Sequence, residues 1–84
     1  MGTYGTDIQS AIAVQIRAEM AALGWKQAEL AKRAGLNVST LHRYLAGERD
    51  IPLPVFVGIS DALGLSYLEL AARAQRRLDG ENVQ

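Results

Sequence analysis

Two glycines, Gly35 and Gly47, leave the middle of this sequence room for short helices only. Ahead of Gly35, the run from Gln27 to Ala34 carries Ala28, Leu30, Ala31 and Ala34 on or near one helical face. Gly35 ends that run, because a glycine just past a helix adopts the left-handed conformation at no steric cost. Asn37 is a side-chain cap for the next helix, over residues 38–46, in which Leu41, Tyr44 and Leu45 follow the i, i+3, i+4 spacing. Gly47 closes it in the same way.

An 84-residue chain is one small domain with a limited core. Hydrophobic residues make up 49% but aromatics only 6%, so the core is built from Leu, Ile, Val and Ala packed between helices. Abundant alanine and few β-branched runs favour an all-α fold over a sheet. With no cysteine and a single histidine, neither a disulfide nor a structural zinc site is available, and no cofactor is expected. No apolar run approaches the ~20 residues of a membrane span, and the first residues lack the pattern of a signal peptide.

In chain order, residues 1–5 read as a flexible leader, and Thr6 with Gln9 as a capping box opening the first helix. Ile8, Ile12, Ile16, Met20 and Leu23 repeat every three or four residues, which predicts one buried stripe as far as Gly24. Arg17 and Glu19 lie off that stripe and read as a solvated face. Trp25 reads as core or half-buried ahead of the second helix, residues 27–34. A fourth helix over residues 54–63 has Pro54 in its first turn, where the missing N–H costs nothing. Gly58 inside it costs ~1 kcal/mol relative to alanine and suggests close helix–helix approach. Ser66 and Glu69 form a capping box for a fifth helix, with Arg73, Arg76 and Arg77 on its outer side, and residues 80–84 read as a frayed tail. The domain therefore spans residues 6–79.

Two short helices meeting at a glycine-containing turn make a helix-turn-helix. Gln27, Ala31, Gly35, Leu41 and Gly47 sit where the lambda-repressor/Cro type of helix-turn-helix protein keeps its signature. The similarity continues through Glu48 and Arg49 into Asp61–Ser66, roughly residues 8–72 in all. The resemblance implies a compact five-helix lambda-repressor-like domain, with the motif at its second and third helices. It implies a DNA-binding transcriptional regulator of phage or bacteria, acting in the cytoplasm as a Cro or immunity repressor does, without catalysis. A protein-interaction module of the same fold, such as an antitoxin binding a partner protein, is the rival reading. An accessory fragment of an enzyme is a third. No second histidine or carboxylate is placed by motif to orient His42 for catalysis.

In this motif the second helix enters the major groove, first turn foremost. By resemblance Val38, Ser39 and Arg43 read bases. Arginine suits guanine O6 and N7, valine the thymine methyl, and serine either donates or accepts. Gln27, Lys26, Asn37, Thr40, His42 and Arg49 are the candidates for the DNA backbone. Lys26 departs from the family's Ser or Thr cap; Leu45 and Ala46 stand where many relatives carry polar residues. Two-fold dimers on half-sites ~34 Å apart are the usual arrangement, with Leu70, Ala74 and Leu78 as interface candidates. Formal net charge is zero, but Lys26, Lys32, Arg33, Arg43 and Arg49 gather in or beside the motif, against Glu29 and Glu48 in the same span, so a neutral chain can still present a basic face.

Overall fold

The computed structural model describes residues 3–82, with side chains from 7 to 80. Its elements are α1 (Thr3–Leu23), α2 (Gln27–Ala34), α3 (Val38–Leu45), α4 (Leu53–Ala62) and α5 (Tyr67–Asn82), with no strand among the described residues. The long α1 and α5 pack against each other, α3 lies against α1 and α2, and α4 joins α2 to α5. One core runs through all five: Ile16 and Met20, Leu30 and Ala31, Leu41, Tyr44 and Leu45, Phe56 and Ile59, and Leu70. Trp25 is half-buried against this cluster, at the junction where it was expected.

The glycine stops behave as their chemistry requires. Gly35 sits at φ 70°, ψ 30°, and Leu36 N–H returns to the Ala31 carbonyl at 2.8 Å. Gly47 has φ 79°, and the Glu48 N–H closes α3 onto the Arg43 carbonyl at 2.9 Å. Gly58 differs: a Cβ built on it meets nothing within 4 Å, so the expected close approach is absent. Gly58→Ala should therefore stabilise the domain by about 0.5–1 kcal/mol through helix propensity alone, read as a higher urea midpoint. A lower midpoint would mean that the space beside Gly58 is filled.

The N-terminal capping box is not formed. Helix α1 already begins at Thr3, so Thr3–Gly5 belong to its backbone rather than to a leader, and Thr6 lies within it; Met1 and Gly2 lie outside the described residues. Gln9 instead reaches the loop before α4. Its Oε1 accepts from the Ile51 N–H at 2.8 Å and its amide donates to the Ile51 carbonyl at 3.4 Å. One side chain thus mimics a β-ladder partner for a buried loop residue (Ile51 is 6% exposed). Gln9→Leu leaves both backbone groups of Ile51 without that partner, with an expected loss of about 1–3 kcal/mol in urea unfolding. A neutral result would mean that solvent replaces the pair.

At the other end the serine cap holds, the Glu69 N–H donating to Ser66 Oγ at 3.0 Å. The Glu69 carboxylate turns to Arg73 at 2.8 Å instead of back to Ser66. Residues 80–82, read as tail, continue α5; Val83 and Gln84 lie outside the described residues. Glu19 and the arginines of α5 are likewise not a plain solvated face. Arg73 donates to Glu19 at 2.7 Å and Arg77 to Gln15, while Gln15 donates to Glu19 at 2.8 Å, giving a polar seam across α1 and α5. Burial pushes the Glu19 carboxyl up, but the hydrogen bonds from Arg73 and Gln15 outweigh it and hold the group below the ordinary 4.5. Glu69 is also lowered, chiefly by its hydrogen bond from Arg73. The folded chain therefore releases these protons more readily than the unfolded one. The seam stabilises fully above pH 4.5 and fades as pH falls through the depressed folded values. Glu19→Gln should lower Tm at pH 7, with the gap to the parent closing on acidification.

Candidate nucleic-acid interface

Helix α3 is divided lengthwise. Leu41 (0% exposed), Tyr44 (5%) and Leu45 (2%) anchor it in the core. Val38, Ser39, His42, Arg43 and Ala46 follow one another along the opposite face, all exposed, with Thr40 half-buried beside them. This outward stripe is the result of the 3.6-residue repeat, since every position not needed for the seam is turned to solvent. Val38 is 48% exposed, which places it on the stripe rather than beneath α2. His42 lies within the stripe, between Ser39 and Arg43 in chain order.

The turn into α3 is tightly built. Asn37 sits at φ −69°, ψ 137°, and its Oδ1 accepts from the Ser39 N–H at 2.9 Å and the Ser39 hydroxyl at 2.6 Å. The bond to the backbone was expected of an N-cap; the bond from the hydroxyl was not. Lys26 begins α2 with no side-chain cap hydrogen bond, as its chemistry dictates. Gln27 is half-buried at the first position of α2, and Lys26 is exposed next to it.

Several cations of the motif are left unpaired. Among the described residues Lys26, Lys32, Arg43 and Arg49 have no carboxylate partner, whereas Arg73 and Arg76 are paired with Glu19 and Glu69. Arg33 is engaged as well: it pairs with Glu29, and its guanidinium lies 4.4 Å from the centroid of the Trp25 ring. The i, i+4 spacing of Glu29 and Arg33 was the available signal for that pair. Arg49 extends over the Tyr44 ring at 5.5 Å, so a core residue of α3 steers a cation of the following loop.

The interface candidates on α5 divide differently. Leu70 and Ala74 are both 0% exposed, covered by their own chain, which removes them from any surface between copies. Their face of α5 is taken by α1 and α4. Leu78, half-buried, remains. No group of three or more His, Cys, Asp or Glu among the described residues is placed to hold a metal ion. No single helix among them is long and apolar enough to cross a membrane.

An outward second helix, a first helix braced behind it and unpaired cations around both define a helix-turn-helix of the DNA-binding, transcription-regulating kind. The chain belongs to the helix-turn-helix family, whose model matches residues 16–70. Two solved structures share the fold. The clp gene regulator ClgR from Corynebacterium glutamicum superposes with a TM-score of 0.83 at 19% identity, over 92% of this chain and 82% of that one. A hypothetical transcription factor, NHTF, from Neisseria gives 0.77 at 27% identity, over 89% and 86%. No curated protein sequence matches significantly.

Proposed function

We propose that this chain is a sequence-specific double-stranded DNA-binding regulator that represses transcription in the manner of Cro and immunity repressors, by occupying an operator without chemistry on it. The observation that carries this reading is the exposed stripe of α3, held outward by Leu41, Tyr44 and Leu45 and flanked by cations without carboxylate partners among the described residues. Val38, Ser39 and Arg43 are the base readers: Arg43 takes guanine and Val38 a neighbouring thymine methyl. Lys26, Gln27, Asn37, Thr40, His42 and Arg49 hold phosphates, with Gln27 and Lys26 at the uncapped start of α2. One inserted helix touches few bases, so the working form is a homodimer on DNA with half-sites ~34 Å apart. It acts in the bacterial cytoplasm, on nucleoid or phage DNA.

Selection of bound duplexes from a random pool, followed by a salt titration on the winner, tests the reading. An enriched two-fold motif whose affinity falls steeply with salt is the expected result, because each lysine or arginine on a phosphate releases counterions. Salt-insensitive or absent duplex binding would sink it in favour of the protein-interaction module.

A further inference from the structure

We propose that Ser39 reads its base solely as a hydrogen-bond acceptor, that its base is therefore adenine or cytosine, and that Asn37 imposes this choice. The inference rests on α3 being the helix that enters the groove, and it deepens that reading from a position to a class of base.

The bonding at the turn leaves one assignment of protons. The Ser39 backbone N–H lies 2.9 Å from Asn37 Oδ1, and an N–H can only donate, so the amide oxygen is the atom facing it. Ser39 Oγ lies 2.6 Å from that same oxygen. A carbonyl oxygen carries no proton, so the hydroxyl proton must occupy the short gap. A serine hydroxyl has one proton and two lone pairs. With the proton committed to Asn37, the exposed side of Ser39 Oγ offers lone pairs alone.

In the major groove, adenine N6 and cytosine N4 present donors, whereas guanine N7 and O6 and thymine O4 present acceptors. An acceptor-only serine bonds to the first pair and meets lone pair against lone pair at the second. Ser39 is thereby converted from an ambiguous reader, as a lone serine is, into a selective one. Asn37 touches no base in this scheme; it is a positioning residue that keeps both amide N–H donors for a phosphate.

The test is random-pool selection with the parent, Ser39→Ala, Asn37→Asp and Asn37→Gly proteins, each checked for folding by circular dichroism. Glycine is chosen because it is tolerated at an N-cap while offering no side-chain acceptor. The parent should enrich adenine or cytosine over guanine or thymine by about fivefold at one half-site position, the worth of one net hydrogen bond. Ser39→Ala should flatten that position and leave the others. Asn37→Asp, whose carboxylate still accepts, should keep the preference, while Asn37→Gly should admit guanine and thymine there. If the position lost in Ser39→Ala is guanine or thymine, or if Asn37→Gly keeps the parental preference, the proton assignment is overturned. If Ser39→Ala changes no position while Arg43→Ala does, Ser39 reads no base and this proposal alone fails. If no pool is enriched, the DNA reading fails and this proposal with it.

Discussion

Leu41→Ala is expected to cost about 2–5 kcal/mol of folding free energy, the range for truncating a fully buried leucine. Leu41 is 0% exposed and belongs to the core shared by all five helices, so no solvent is positioned to fill the space it leaves. Domains of this size hold on the order of 5–15 kcal/mol in total, so one substitution removes a large share. Urea unfolding followed by circular dichroism measures it directly. DNA binding should fall in parallel, and excess duplex should restore it in part, because a ligand of the folded state draws the equilibrium back. A loss below about 1 kcal/mol would mean that α3 is not held by its inner seam, and the outward stripe would lose its physical basis.

Arg43→Ala is expected to do the reverse: leave the fold intact and remove discrimination. Arg43 is exposed, has no carboxylate partner among the described residues, and contributes nothing to the core. A bidentate arginine–guanine pair is worth ~1–3 kcal/mol, so preference for guanine at one half-site position should fall by about 5- to 150-fold. Affinity for unrelated duplexes should change little beyond the loss of one charge, with a correspondingly shallower salt slope. Lys26→Ala makes the contrast, weakening all duplexes alike. Equal losses on cognate and unrelated duplexes for Arg43→Ala would assign this arginine to the backbone instead.

What was legible in the sequence was what neighbouring residues decide among themselves. The bounds of α2, the Asn37 cap, the glycine stops and the division of α3 into inner and outer faces follow from rules spanning a turn or two. For the same reason Gln9 was misread: three residues after a threonine, a glutamine has the local signature of a capping box, and nothing nearby announces Ile51. Glu19 and Arg73 are as opaque, since a surface carboxylate and one that bridges two helices look alike in one dimension. Leu70 and Ala74 show the limit for packing. An apolar residue on a helix does not announce whether its own chain or a second copy covers it, and within a single chain α1 does. Gly58 failed in the other direction, its permissiveness serving no close contact.

The exposure of the α3 stripe was legible in the sequence, and its bonding less so. Ser39 stood out by register alone, yet the destination of its proton depends on a side chain two residues earlier, turned by the geometry of the cap. Arg49 stood out as a loop cation, but not the Tyr44 ring beneath it.

The marriage of α1 with α5 sets a timetable for biosynthesis. Ile16 on α1 and Leu70 and Ala74 on α5 are far apart in sequence but packed in space, tied further by Glu19 to Arg73 and Gln15 to Arg77. On the ribosome, the helix-turn-helix emerges well before the strut that braces its foundation. The α1–α5 packing can therefore form only once α5 has left the exit tunnel and the chain between the two has closed.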